Sequence, residues 1–216
     1  MSQSIATLEK QRLALQDALD VQKTRAERNR LGQFSTPTAL AVDILRYAAE
    51  LLPKDAPVQF LDPAIGTGAF YAALLSVLPA LRISAAVGFE IDPHYRQPAS
   101  ELWEESGLVI KLADFTRELP SSQFNLVICN PPYVRHHHLS NVDKARLQER
   151  TYHASGMRLS GLAGLYCHFL GLAHTWMADN AIGGWLIPSE FMDVNYGKEL
   201  KQYLLNKVTL LHIHRF

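Results

Sequence analysis

The sequence predicts a doubly wound α/β fold, in which helices cover both faces of a mostly parallel β-sheet. From Val58 onward, short apolar runs alternate with helix-like segments, which is the βαβ pattern of a parallel sheet. Polar or acidic residues end four of these runs in succession, and ligands bind at the carboxyl edge of such sheets. A chain of 216 residues can bury one good core, so we expect one sheet-containing domain.

The predicted elements begin with a helix over residues 4–30, where Ile5, Leu8, Leu15 and Leu19 are spaced for one apolar face. This helix cannot bury its face alone, so we expect it to pack on the rest of the domain or on a partner. Six strands are expected to follow, the first starting near Val58 and the others at residues 85–89, 109–112, 124–129, 185–188 and 208–214. Helices are expected at residues 70–77, 95–106 and 162–178.

The polar segment at residues 134–160 lacks strong periodicity, and a loop of this length in a compact domain is usually functional or disordered. We interpret it as a mobile flap. It contains His136, His137 and His138, but three adjacent histidines cannot easily face one ion, and no acid or thiol partners them at ligand spacing. The sequence therefore predicts no metal site.

Composition favours a cytoplasmic protein without a membrane span. Cys129 and Cys167 sit in apolar runs, which predicts buried, reduced thiols. The N-terminus reads as polar and helical rather than as a secretory signal, and the most apolar segment, residues 161–177, is short for a membrane span. The formal net charge is zero, with basic clusters at residues 23–30 and 135–158. Each cluster is either a solvated helix face or a contact to a nucleic-acid backbone.

The most specific chemical signal is Asn130-Pro131-Pro132-Tyr133, directly after the apolar run Phe124–Cys129. A rigid di-proline turn would hold an amide, a carbonyl group and an aromatic ring at the ligand-binding edge of the sheet. The amide oxygen and the proline carbonyl can both accept hydrogen bonds from one exocyclic amino group, while the ring stacks on a flat heterocycle. An ordinary strand-to-loop turn is the alternative. With the upstream motifs, the tetrapeptide indicates a site for a planar amino or amide nitrogen.

A glycine loop follows the first predicted strand. Gly66 and Gly68 allow a sharp turn and close approach of a ligand, and a helix beginning near Ala69 would point its amides at that ligand. The position where a dinucleotide fingerprint has its third small residue is Tyr71, so binding of a pyrophosphate is disfavoured.

Three acids close three successive strands: Asp62, Glu90 and Asp114. Glu90 lies about 20 residues past the glycines, the spacing at which an acid can accept both ribose hydroxyls of a bound nucleoside. Asp114 can accept a hydrogen bond from an adenine amino group while Phe115 covers the ring. The three acids together predict a nucleoside site at the sheet edge.

These motifs in combination resemble those of DNA adenine-N6 methyltransferases from bacterial restriction-modification systems. Gly32-Gln33-Phe34-Ser35-Thr36-Pro37 precedes the glycine loop, as in the gamma ordering of that family, although Thr36-Pro37 is also a good helix start. The resemblance implies a Rossmann-like catalytic domain at residues 32–216, after a helical extension at residues 1–31, and S-adenosylmethionine as the cofactor. The implied cofactor-binding residues are Phe34, Thr36, Pro37, Asp62, Ala64, Gly66, Gly68, Glu90, Ile91, Asp114, Phe115, Asn130 and Pro131.

The chemistry of the tetrapeptide suggests a mechanism with Asn130, Pro131, Pro132 and Tyr133 as the catalytic residues. The Asn130 side chain and the Pro131 carbonyl would accept the amino hydrogens of an adenine flipped out of double-stranded DNA. Tyr133 would stack on that base, and the flap would cover it. The amine would then attack the sulfonium methyl group directly.

Other functions stay open at this point. A protein glutamine or an RNA adenine would fit the same tetrapeptide, and an inactive cofactor-binding module is also compatible with the sequence. Sheets of the family close with a seventh, antiparallel strand, and a target-recognition domain follows. Because the chain stops at Phe216, we expect it to be truncated, or to be complemented by a fused or separate recognition or endonuclease component.

Overall fold

The computed structural model describes residues 4–215 and contains a five-stranded, all-parallel sheet in the order β3-β2-β1-β4-β5. The strands are β1 Val58–Asp62, β2 Ile83–Glu90, β3 Leu108–Leu112, β4 Phe124–Cys129 and β5 Met177–Trp185. The helices are α1 Ile5–Val21, α2 Arg25–Leu31, α3 Thr38–Leu51, α4 Ala69–Val77, α5 Pro93–Leu102, α6 Asn141–Ser155, α7 Leu165–Ala173 and α8 Lys198–Asn206. The predicted doubly wound α/β fold is confirmed. Its strand order reverses between β1 and β4, where ligands bind in sheets of this kind.

Two apolar cores lie on the two faces of the sheet, and β4 contributes alternate residues to both. Leu126 and Ile128 join the core under α3, α4 and α5, whereas Val127 and Cys129 join the core under α6 and α7. This alternation is the period of two that a strand buried on both faces requires. Cys129 and the other predicted buried thiol, Cys167, are both buried and free.

The N-terminal helix is shorter than predicted. Helix α1 ends at Val21, and Thr24 starts α2 through a capping box with Glu27. As predicted, α1 packs on the rest of the domain, where it contacts α4 and α5. Its most buried residues are Leu19 and, against expectation, Arg12.

Two strand predictions near the C-terminus are wrong. Strand β5 begins at Met177, inside the segment predicted as a helix, and ends at Trp185, where the prediction placed its start. It contains two glycines and Asn180, which has a φ of 61°, so its composition hides its conformation. Residues 208–214 form no strand. Most of them are exposed, and they make no ladder with the sheet that would hold them extended.

The predicted flap is largely a helix. Ser140 caps α6 by accepting a hydrogen bond from Asp143 N, and Gly156 ends it at a φ of 78°. The buried stripe of α6 is Leu147, Thr151 and Ser155, spaced by four but mostly polar. The lack of apolar periodicity therefore did not indicate a loop.

Across residues 4–215, no helix has the length and apolar content that a membrane crossing needs.

Candidate active site

A cavity of about 460 Å³, here called the main cavity, opens at the carboxyl edge of the sheet beside the β1–β4 switch point. Nine of the residues predicted for the site line it: Phe34, Ala64, Gly66, Glu90, Ile91, Asp114, Phe115, Asn130 and Pro132. A smaller space of about 50 Å³, the side cavity, shares six of the main cavity's lining residues, including Phe34 and Asn130, and adds Thr36 and Asp62. Most of the predicted site residues thus meet in one place.

Four predicted site residues do not line either cavity. Pro37 precedes the first residue of α3, and Gly68 caps α4 at a φ of 93°, where a Cβ would lie 2.5 Å from Trp103 Nε1. Pro131 is buried, and the Tyr133 hydroxyl donates to the Leu186 carbonyl at 2.9 Å. The close packing of Gly68 against Trp103 positions the backbone of the glycine loop, and the hydrogen bond of Tyr133 positions its ring.

The side chain of Asn130 stands at the junction of the two cavities with its orientation fixed. Its amide nitrogen donates to the Phe34 carbonyl at 3.2 Å and to Thr36 Oγ1 at 3.1 Å. Because a carbonyl only accepts, the nitrogen must face Phe34. Asn130 Oδ1 is buried and has no hydrogen-bond partner among residues 4–215. A buried acceptor without a partner costs folding free energy, so its presence at a cavity points to a ligand donor.

The segment Gly32–Thr36 clamps the tetrapeptide, a role that the sequence reasoning missed. Gly32 has a φ of 64°, and a Cβ there would come within 2.4 Å of Tyr133 N. The ring of Phe34 stacks on that of Tyr133, with centroids 5.9 Å apart and 28° between the planes. Only glycine allows this approach of two backbones, which brings the Phe34 carbonyl within reach of Asn130.

Two buried carboxyl groups border the cavities. Asp62 accepts from Ala64 N at 3.0 Å, and Glu90 accepts from Gly66 N at 3.1 Å and from Asp92 N at 2.8 Å. Burial raises the pKa of Asp62 to about 7, and burial likewise raises the pKa of Glu90 to about 7. Backbone N–H donors only partly offset this loss of hydration. A cationic or hydroxyl-rich ligand would favour the ionised form of both groups.

The affinity for such a ligand is therefore expected to rise with pH. As pH increases through the raised pKa values near 7, Asp62 and Glu90 lose their protons and become the better acceptors. For S-adenosylmethionine, the cofactor that the sequence resemblance implies, we expect about tenfold tighter binding on going from about pH 6 to about pH 7.5 for each group that must ionise. Calorimetry in two buffers of different ionisation enthalpy should also detect proton release. Glu90→Gln should flatten the dependence; affinity that falls over this range would contradict the assignment.

Asp114 is already engaged within the chain. Its Oδ1 accepts from Thr116 N at 2.9 Å and from Thr116 Oγ1 at 2.7 Å, and its Oδ2 lies 3.2 Å from Arg117 Nε. Phe115 packs edge-on against Phe89, with the two ring centroids 5.5 Å apart. The loop after β3 is thus held rigidly where it lines the main cavity.

Several lining residues come from two elements that the sequence did not connect to the site: Gln16 and Asp20 lie on α1, and Tyr95 lies on α5. Arg146 and Leu147 also line the main cavity, and they lie on α6, within the segment predicted as a flap. A signal for α1 was present: Arg12, Gln16 and Asp20 recur every four residues, close to the apolar stripe. Polar residues at that spacing on a buried helix face indicate a polar site beneath the helix.

Metal ligation finds no support in residues 4–215, where no group of three or more His, Cys, Asp or Glu side chains could hold an ion. His137 and His138 lie in a short turn before α6, and the centroids of their rings are 4.1 Å apart.

The parallel sheet, the glycine turn after β1 and the acids at the strand ends define the fold of class I S-adenosylmethionine-dependent methyltransferases. A solved putative methyltransferase of that class from Listeria monocytogenes has a TM-score of 0.70 and 17% identity, covering 92% of this chain and 59% of that one. The methyltransferase subunit of a type I restriction-modification system from Streptococcus thermophilus has a TM-score of 0.63 and 16% identity, covering 80% of this chain and 38% of that one.

The sequence comparisons identify the family. The profile of the Eco57I restriction-modification methylases matches residues 90–216. The Type II methyltransferase M.AccI of Acinetobacter calcoaceticus is 30% identical over 187 residues, which are 86% of this chain and 33% of that protein. The Type II methyltransferase M.XamI of Xanthomonas campestris pv. amaranthicola is 28% identical over 192 residues, which are 86% of this chain and 35% of that protein. The chain belongs to the Eco57I restriction-modification methylase family. It spans about a third of the length of these relatives.

Proposed function

We propose that this chain binds S-adenosylmethionine and transfers its methyl group to the N6 amino group of adenine in double-stranded DNA, as the modification part of a restriction-modification system. The observation that carries the proposal is the unpartnered, buried Asn130 Oδ1 at the junction of the two cavities. An exocyclic amino group brings the donor that this acceptor lacks.

The residues around the cavities fit the cofactor. The main cavity offers Glu90 for ribose hydroxyls and Phe115 as apolar cover for a base, and the side cavity offers Asp62 for an ammonium group. When bound, S-adenosylmethionine supplies an electrophilic methyl group on a sulfonium centre.

Asn130 and Pro131 then activate the amine. The lone pair of the amino nitrogen is delocalised into the adenine ring, which makes the nitrogen a poor nucleophile. Asn130 Oδ1 and the Pro131 carbonyl accept its two hydrogens and stabilise the positive charge that develops during attack. The hydrogen bond from Asn130 to the Phe34 carbonyl fixes the acceptor in advance, so little reorganisation is needed in the transition state.

Four arginines after the tetrapeptide divide into two groups. Arg146 donates to the Thr116 carbonyl at 3.0 Å and Arg150 to the Glu118 carbonyl at 2.6 Å, so both hold the loop after β3. Arg135 and Arg158 are exposed. We assign contacts with DNA phosphates to these two arginines because they are exposed. Such contacts position a protein on DNA without reading its sequence.

The relatives named Type II methyltransferases support DNA as the substrate class. The test is transfer of labelled methyl groups from S-adenosylmethionine by the complete gene product to duplex DNA, RNA and a release-factor protein in parallel. We expect label in DNA alone, and S-adenosylhomocysteine should inhibit its incorporation. Label in RNA or in a protein glutamine, and none in DNA, would show that the same site methylates a different substrate. No label in any of the three would indicate an inactive module.

A further inference from the structure

Helix α1 lies directly on the glycine loop and is joined to it by hydrogen bonds. Arg12 Nη1 donates to Thr67 Oγ1 at 3.2 Å, and the Thr67 hydroxyl donates to Gln16 Oε1 at 2.7 Å. Thr67 lies between Gly66 and Gly68, so two successive turns of α1 grip the tip of the loop. A helix that stood apart from the site would make no such contacts.

A buried ion pair fixes the position of α1. The Arg12 side chain is only 1% exposed, and its guanidinium forms two hydrogen bonds with Glu9, both 2.7 Å long. The same guanidinium reaches Thr38 Oγ1, in the first turn of α3, at 3.4 Å. Arg12 thus ties α1 to the glycine loop, which lines the side cavity, and to the start of α3, which follows the lining residue Thr36 closely in the chain.

The orientation of the Gln16 amide is determined by its neighbours. Its Nε2 donates to Asp20 Oδ1 at 2.9 Å, and an ionised carboxylate only accepts, so the nitrogen must face Asp20. Asp20 is held by the Tyr95 hydroxyl at 2.7 Å and by Arg28 at 3.2 Å. A primary amide has two N–H donors, and the bond to Asp20 uses one of them. Gln16 lines both the main and the side cavity, so it stands where they join.

The side cavity suits a zwitterionic amino-acid group. Asp62 provides an acceptor for an ammonium, but no lysine or arginine is among the described residues that line this space. A carboxylate there must be held by neutral donors such as backbone N–H groups, hydroxyls and side-chain amides. Gln16 is well placed to be one of these donors.

We propose that Gln16 donates its second amide hydrogen to the α-carboxylate of the methionine group of S-adenosylmethionine. The N-terminal helix is then part of the cofactor site rather than an appended extension. This inference rests on the proposed cofactor, and it adds a binding residue from an element outside the motifs that carried the family resemblance.

The test compares two ligands that differ only in this carboxylate: S-adenosylmethionine and its decarboxylated form. Calorimetry or competition binding is measured for the wild type, for Gln16→Met and for Gln11→Met, an exposed position on the same helix. We expect Gln16→Met to weaken S-adenosylmethionine by about tenfold or more, the effect of losing a hydrogen bond to a charged group. The affinity of Gln16→Met for the decarboxylated ligand should change by no more than about twofold. Gln11→Met should leave the affinity for both ligands unchanged.

A second variant guards against a folding defect, which thermal unfolding of each protein would reveal. Gln16→Glu keeps the acceptor for Thr67 but places an acid against both the ligand carboxylate and Asp20, so its thermal unfolding must be compared with that of Gln16→Met. In the folded variant, we expect weaker binding of S-adenosylmethionine and equal or tighter binding of the decarboxylated cation. Equal losses for both ligands, or no loss, would overturn the role of Gln16 while the wild type still bound S-adenosylmethionine. A wild type that binds neither ligand would overturn the proposed cofactor as well.

Discussion

Replacing Asn130 with alanine is expected to reduce methyl transfer by about 10²–10³-fold, the range measured when one preorganised transition-state partner is lost. The variant loses the Oδ1 acceptor, which is needed most when charge develops on the amine. Affinity for S-adenosylmethionine should stay close to normal, because Asp62, Glu90 and the glycine loop are untouched. Single-turnover rates and calorimetry on the complete gene product measure the two quantities separately.

Asn125→Ala is the matched control for this variant. Asn125 accepts from Gln59 N and donates to the Pro57 carbonyl, both at 2.8 Å, at the start of the strands and not at either cavity. Its loss should lower the free energy of unfolding without changing turnover. Wild-type rates in Asn130→Ala would show that the tetrapeptide does not activate the amine.

Gly32→Ala is expected to have the second large effect. The left-handed backbone at a φ of 64° costs an alanine about 1–2 kcal/mol, and the new Cβ would meet Tyr133 N at 2.4 Å. Two backbone segments must then separate, which moves Phe34 away from Asn130. Because a displacement of about 1 Å in a catalytic group can cost about 100-fold in rate, we expect a loss of that order in turnover.

Gly107→Ala separates strain from displacement. Gly107 has a φ of 87°, but a Cβ there meets nothing within 4 Å. This variant should be destabilised by about the same 1–2 kcal/mol and yet keep its turnover within about twofold. Thermal unfolding and turnover measured on both variants give the comparison. If Gly107→Ala lost as much activity as Gly32→Ala, general instability would explain both.

The parts of the fold that the sequence predicted well are those where local pattern and tertiary burial agree. Strand β4 is apolar apart from Asn125 and is buried on both faces, and its predicted limits match the structure. Strand β5 and helix α6 were missed because their residues contradict their conformation. Gly183 and Gly184 are poor strand formers, and the buried stripe of α6 contains Thr151 and Ser155.

The candidate site was predicted where residues end a strand, as Glu90 does, or follow one directly, as Asn130 does, because parallel strands bring their carboxyl ends to one edge. Contacts between distant segments could not be derived from spacing. Gln16 meets Thr67 across 51 positions, and Gly32, at the end of α2, meets Tyr133 after β4. Both depend on how α1 and the segment after α2 pack, which a single sequence does not specify.

The most direct test of the proposed reaction is mass spectrometry of the nucleosides from duplex DNA that the complete gene product has methylated with deuterated S-adenosylmethionine. The Asn130 acceptor and the proposed adenine substrate predict N6-methyladenine carrying the deuterated methyl group, formed about 10²–10³-fold more slowly with Asn130→Ala. Deuterium in N4-methylcytosine instead would retain amine methylation and contradict adenine as the target. Deuterium in 5-methylcytosine would contradict the account at its centre, because a ring carbon has no amino hydrogens for Asn130 and Pro131 to accept.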